Sequence, residues 1–280
     1  MSMESLCNHF GVSQQAIDDL PTTILTAIDR ANSAPDALPA NDRGAMDPST
    51  IKRLNQINRD FYRATAAEFD ATRQSAWPGW ERLLQSIQMP IESALDLGCG
   101  NGRFAIFLAS RQRQPFRYIG IDSDPDLLTR ARQQLAALPQ IRFQLIQHDL
   151  VLDEPPTDAA QLTALFGLIH HVPGLARRRE LLKAAAECVS PGGCLAFACW
   201  RFYEHERFRQ RIIPWPEDIA VERHDFLLDW RRGKTALRYC HYVDDEEHEQ
   251  LIAATGLSVI ADYRADGAEG RLNRYTLLRK

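Results

Sequence analysis

The sequence predicts an α/β fold: a seven-stranded, mostly parallel sheet with helices on both faces. Two observations carry this. From about residue 93, short apolar runs of strand character alternate with longer segments of helical periodicity, the pattern of successive βαβ units. A glycine-rich turn, "LDLGCGNGR" (Leu95 to Arg103), joins the first such strand to the first such helix. Glycines there let a ligand approach the backbone at the carboxyl edge of the sheet.

The elements follow in order. "ALDLG" reads as a buried strand and "GRFAIFLASRQ" as a helix; "FRYIGID" is a strand and "DPDLLTRARQQLAAL" a helix. "IRFQLIQHD" and "QLTALFGLI" are the third and fourth strands. "RRELLKAAAECV" is a helix, "SPGG" a turn and "CLAFACW" the fifth strand. "DDEEHEQLIAATG" has the acidic first turn and terminal Gly256 of a capped helix. "LSVIADYR" and "NRYTLLRK" close the chain as strands able to pair in a hairpin.

Upstream, residues 1–47 read as an extension ending in the linker-like "SAPDALPANDRGAMDP". A helix is expected from Asp47-Pro48, with Asp as N-cap and Pro at the first helical position. Residues 48–280 then form one domain, in which 201–242 is too long for a simple connection and is expected to be a substrate-side insertion.

The 280 residues are 45% hydrophobic and 25% charged, as in a globular protein. A net charge of −4 argues against a broad basic face for nucleic acid. No run of 18 apolar residues exists, so no membrane span is expected, and "MSMESLCNHF" lacks a signal-peptide pattern. The six cysteines form no C-x-x-C pair, which favours reduced, mostly buried thiols in a cytoplasmic protein over a metal site.

The turn carries Asp96, Gly98, Gly100 and Gly102, and Arg103 stands where a dinucleotide fingerprint needs Gly or Ala. An acid before the turn suits a cationic ligand better than a pyrophosphate. Asp122 ends the second strand, where a carboxylate can accept from both hydroxyls of a ribose; Asp149 ends the third, where it can accept from an adenine amino group. This ordered set, with Arg103, resembles the class I S-adenosylmethionine-dependent methyltransferases. The resemblance implies a Rossmann-like sheet and S-adenosyl-L-methionine as cofactor.

Further motifs narrow it. "AAEFDATRQSAWP", "GLIHHVPGLARRRELL", "CLAFACW", "IIPW" and "RYCHYVDDEEHEQL" occur in that order. They resemble the tRNA wobble-uridine carboxymethyl methyltransferases, which esterify 5-carboxymethyluridine in the anticodon. The resemblance implies tRNA as a partner and a small zinc-binding activator subunit. It carries over Phe69, Thr72, Arg73, Trp77, His170, His171, Arg178, Arg179, Trp200, Trp215, Arg238 and His241. A carboxylate acceptor is ionised at neutral pH and needs no strong base, but it needs a fork to aim one oxygen, which arginine supplies. Candidate catalytic residues are therefore His170, His171, Arg178, Arg73 and Arg238, with Trp77, Trp200, Trp215 and His241 as substrate contacts. Successive residues at a strand end point oppositely, so one of the two histidines is expected to face the acceptor. Trp80 and Trp230 are expected to be packing residues. A methyltransferase acting on a small-molecule carboxylic acid or hydroxyl is the alternative, and a non-catalytic cofactor-binding protein a third.

Overall fold

In the computed structural model, which describes residues 46–71, 75–154, 156–232 and 234–280, helix α1 (Pro48–Ala71) opens the described chain. Asp47 caps it: its carboxylate accepts from the Thr50 amide at 3.1 Å. Helix α2 (Pro78–Ser86) follows. Then come β1 (Ser93–Leu97), α3 (Arg103–Arg111), β2 (Phe116–Asp122), α4 (Pro125–Leu135), β3 (Ile141–Gln147) and β4 (Ala160–Phe166). Helix α5 (Leu175–Glu187) leads to β5 (Val189–Trp200), and α6 (Glu206–Arg209) to β6 (Ile212–Ile213), β7 (Asp225–Arg232) and β8 (Lys234–His241). Helix α7 (Asp245–Thr255), β9 (Ser258–Ala265) and β10 (Asn273–Arg279) end the chain.

The main sheet has seven strands in the order β3-β2-β1-β4-β5-β10-β9. The first five are parallel, and β10 runs antiparallel to both β5 and β9. The central strands β1 and β4 are almost continuously buried because both faces are covered, whereas the edge strands β3 and β9 are partly exposed. One face packs on α2, α3 and α4 through Trp80, Leu83, Phe104, Phe107, Leu128 and Leu135. The other packs on α5 and α7 through Leu181, Leu182 and Leu251. The chain order reverses between β1 and β4, and a crevice opens at the carboxyl end of such a switch point.

Two expectations need correction. The fourth strand stops at Phe166, because Gly167 takes a φ of 81°, and the histidines sit on a 3₁₀ turn, Ile169–His171. The fifth strand begins at Val189, before the expected turn: Ala160 pairs with Val189, and the ladder then jumps to Leu162 with Cys194, so residues 190–193 bulge out.

Residues 201–242 build a second sheet, β6-β7-β8, all antiparallel. One cluster on it, Phe202, Phe226, Leu228, Cys240 and Tyr242, packs against Trp200 and Phe208. A second, Leu54, Ile219 and Tyr239, fastens α1 to β8. Residues 1–45 of the expected extension, with Cys7, lie outside the described residues, as do Thr72, Arg73 and the Phe69 side chain. The other five cysteines are buried free thiols. Among the described residues no helix is long and apolar enough to cross a membrane.

Candidate active site

A cavity of about 710 Å³ lies at the carboxyl edge of the sheet, bordered by the ends of β1 to β5, by α1 and by the second sheet. Its two halves differ in charge because different strands supply them. The ends of β1, β2 and β3 bring Asp96, Asp122 and Asp149. The ends of β4 and β5, with the second sheet, bring His170, His171, Trp200, Arg207, Arg211, Trp230 and Arg238.

On the acidic side the glycine turn supplies the floor. Gly98, Gly100 and Gly102 all have positive φ. At Gly100 (φ 54°) a Cβ would meet nothing within 4 Å, so the backbone is bare toward the open cavity. The Gly100 amide donates to Asp122 Oδ2 at 2.8 Å, and the Asp124 amide to its Oδ1 at 2.9 Å. Each oxygen keeps a further lone pair for a ligand. Asp96 is 2% exposed and accepts from the Tyr118 hydroxyl at 2.7 Å. Burial drives its pKa up to about 7, against the Tyr118 hydrogen bond. Burial also raises Asp122 to about 6, against its backbone hydrogen bonds. Two carboxylates short of solvation favour a cationic ligand, which restores their charged form.

Asp149 sits just past the end of β3 and faces the cavity, but its oxygens are engaged. Oδ1 accepts from the amides of Val151 (3.0 Å) and Leu152 (3.3 Å). Oδ2 accepts from Asn55 (2.8 Å) and Arg59 (3.1 Å) on α1. Arg103 and Trp77 meet at the rim, the guanidinium 5.6 Å from the ring centroid.

On the far side both histidines line the cavity, which corrects the expectation that one alone would. Their rings lie 4.2 Å apart, and His170 lies 5.3 Å from Trp200. His171 is tied into the scaffold: Nδ1 is 3.1 Å from the Tyr239 carbonyl, which can only accept, so Nδ1 carries the proton. Nε2 then accepts from the Tyr62 hydroxyl at 2.9 Å. His170 lines the cavity beside Trp200. Arg238 is 7% exposed, with its guanidinium 4.7 Å from the Trp200 ring and 5.2 Å from Phe61. Its guanidinium thus rests over two aromatic faces.

Three expected site residues are elsewhere. Arg178 is fully buried beneath the second sheet and does not reach the cavity. It donates to Glu247 (2.6 Å), Glu222 (2.9 Å) and the Val172 carbonyl (3.0 Å). His241 bridges Asp225 and Glu247, each at 2.7 Å. Burial and the Arg178 charge lower its pKa, the hydrogen bonds to Asp225 and Glu247 raise it, and the balance is upward. Burial raises Glu247, but His241 and Arg178 bring it down to about 2. Trp215 donates its indole N–H to the Asp225 carbonyl at 3.0 Å and packs on Tyr239. Arg178 and His241 thus fasten the second sheet to α5 and α7, while Trp215 packs within the second sheet and toward α1. Arg179 is exposed on α5. Removing one carboxylate of this cluster should show its structural role: Glu222→Ala should lower stability by about 1.5–3 kcal/mol in urea unfolding. A change below about 0.5 kcal/mol, the level of an ordinary surface substitution, would contradict that role.

The sequence reading missed Asn55, Asn58, Arg59 and Tyr62, which recur at helical spacing on the cavity side of α1. It also missed Arg207 and Arg211, and it assigned Trp230 to packing, whereas Trp230 lines the cavity.

Comparison with known proteins agrees with this geometry. A methyltransferase-domain family profile matches residues 94–193. A probable tRNA methyltransferase 9B of Bos taurus is 24% identical over 181 residues, 64% of this chain and 37% of that protein. A tRNA (carboxymethyluridine(34)-5-O)-methyltransferase of Mus musculus is 26% identical over 213 residues, 72% of this chain and 29% of that protein. The chain thus spans about a third of the length of these relatives. The S-adenosylmethionine-bound structure of an amino pentose methyltransferase from Micromonospora echinaspora shares the fold with a TM-score of 0.53 at 18% identity, covering 76% of this chain and 96% of that one. The glycine turn, the buried carboxylates and these likenesses lead to one conclusion: the chain carries, over residues 94–193, a methyltransferase domain of the class I S-adenosylmethionine-dependent kind.

Proposed function

We propose that the protein transfers the methyl group to a carboxylate, and that the carboxymethyl group of a tRNA wobble uridine is the acceptor its relatives' names indicate. One observation carries the carboxylate: Arg238, buried on Trp200 inside the cavity, opposite the acidic half. In this reading residues 48–280 are the catalytic domain, 201–242 its substrate-side insertion and 1–47 an extension.

The residues present fit the cofactor. The bare backbone at Gly100 leaves room, and Asp96 and Asp122 present carboxylates that a cation stabilises. Bound there, S-adenosylmethionine supplies a sulfonium methyl that an acceptor oxygen takes with release of the thioether, giving a methyl ester and no net proton change. The chain's part is alignment and exclusion of water. Asp122 accepts from the ribose hydroxyls. Arg238 holds the acceptor carboxylate by a planar fork. Trp200 and Trp230 wall the acceptor side, and His170 donates a hydrogen bond to the acceptor without removing a proton.

The raised carboxylates make cofactor affinity depend on pH. In the free protein Asp96 and Asp122 take up protons as pH falls through about 7 and about 6. The cation needs both charged, so binding releases protons below that range and weakens as pH falls. Affinity should rise between about pH 5 and 8. Calorimetry in buffers of different ionisation enthalpy should detect the release, and a flat affinity profile with none would contradict the assignment.

The acceptor is tested by incubating the enzyme and labelled cofactor with bulk tRNA, then with a panel of carboxylic acids. The expected product is a methyl ester, lost on mild alkaline treatment. A base-stable ether or methylamine would overturn the carboxylate reading.

A further inference from the structure

A small side chamber of about 30 Å³ opens next to the main cavity, lined by Phe208, Arg211, Leu228, Asp229, Trp230 and Arg238. Four of these also line the main cavity on its basic side: Phe208, Arg211, Trp230 and Arg238. The second sheet builds the chamber. Leu228 on β7 lies directly opposite Arg238 on β8 and opposite Ile212 on β6, and the Asp229 amide donates to the Arg211 carbonyl at 2.9 Å. The insertion therefore sets Arg211 beside Arg238.

We infer that this chamber is an anion subsite, so that the acceptor carries a second negative group besides the carboxylate that is methylated. The inference rests on the carboxylate reading and deepens it. The volume is that of a single small group, a carboxylate or the outer oxygens of a phosphate, or of one water. Phe208, Leu228 and Trp230 give it apolar walls, and Leu228 is 3% exposed. Two guanidiniums against the one carboxylate of Asp229 leave a net positive charge. An anion in such a setting gains charge-assisted hydrogen bonds that bulk water screens little. A guanidinium has five N–H donors, so Arg238 can serve the reacting carboxylate on one edge and the second anion on the other. Arg211 serves the second anion alone and sets specificity.

The test compares matched pairs that differ by one anion. Binding to the full-length protein saturated with S-adenosylhomocysteine is measured by calorimetry. One pair is butyrate and glutarate; the other is 5-carboxymethyluridine and its 5′-monophosphate. The dianion of at least one pair should bind at least about tenfold tighter than its partner. A preference confined to glutarate identifies the second group as a carboxylate, and one confined to the nucleotide identifies a phosphate. Arg211→Gln should collapse the ratio to within about twofold. Equal affinity within both pairs, no binding by any of the four, or a ratio that survives Arg211→Gln overturns the subsite. A dianion preference without formation of a methyl ester would leave the subsite standing and remove the carboxylate reading instead.

Discussion

Gly100→Val should abolish S-adenosylmethionine binding while the protein stays folded. At φ 54° the residue lies in the left-handed region, where a β-branched side chain is strained. That strain is of the order of 1–3 kcal/mol, which a domain of this size can absorb. The larger effect is steric. A Cβ at this position meets no protein atom within 4 Å, so the isopropyl group has room in the free protein and fills the space the ligand needs. Gly192 supplies the control. It has φ 75° and an equally open Cβ position, but it is exposed in the bulge of β5, away from the cavity. Gly192→Val should lower the melting temperature by a similar amount and leave cofactor affinity unchanged. Calorimetry on both variants decides: Gly100→Val binding within about tenfold of the parent protein would mean that the ligand does not lie on this turn.

The acidic half of the cavity was legible in the sequence because its parts are local. Asp96, Gly98, Gly100 and Gly102 fall within seven consecutive residues that join β1 to α3, and Asp122 and Asp149 stand at or just past the ends of the next two strands. Parallel strands deliver their carboxyl ends to one edge, so naming the strands locates the acids. The basic half was less legible because its residues are sorted by contacts remote in sequence. Arg178 stands in an arginine run that gives no sign of direction. Its carboxylates are Glu222 and Glu247, 44 and 69 positions away, and they turn it from the cavity. His241 follows the same logic, caught between Asp225 and Glu247. On α1 the polar stripe Asn55, Asn58 and Tyr62 was present in the periodicity. Its meaning depended on Asp149 and His171 lying under it, which strand order alone does not give.

Arg238→Lys should reduce kcat/KM for methyl transfer roughly 10- to 100-fold, the equivalent of losing one hydrogen bond to a charged group. The Arg238 guanidinium lies over Trp200, 4.7 Å from the ring centroid, and the residue is 7% exposed. A planar guanidinium keeps that stacking while its edge grips both oxygens of a carboxylate; an ammonium keeps the charge but loses the plane and the second donor. Loss of the fork should leave cofactor affinity within about twofold, since the acidic residues that bind the cofactor lie on other strands. The pH dependence separates this role from base catalysis. A carboxylate acceptor of ordinary pKa is ionised throughout, so the single-turnover rate should stay nearly flat from about pH 6 to 8, measured with the cofactor saturating at each pH. Saturation matters because the raised pKa values of Asp96 and Asp122 would otherwise appear as a false slope in the same range. If His170 instead removed a proton from a hydroxyl acceptor, the rate would climb through an inflection near the usual histidine pKa of about 6.5. His170→Gln would then abolish that inflection along with the activity. With a carboxylate acceptor, His170→Gln should keep the flat profile and much of the rate, because glutamine still offers a donor. A sloping profile at saturation, together with an inactive glutamine variant, would transfer the chemistry from Arg238 to His170 and exclude a carboxylate as the acceptor.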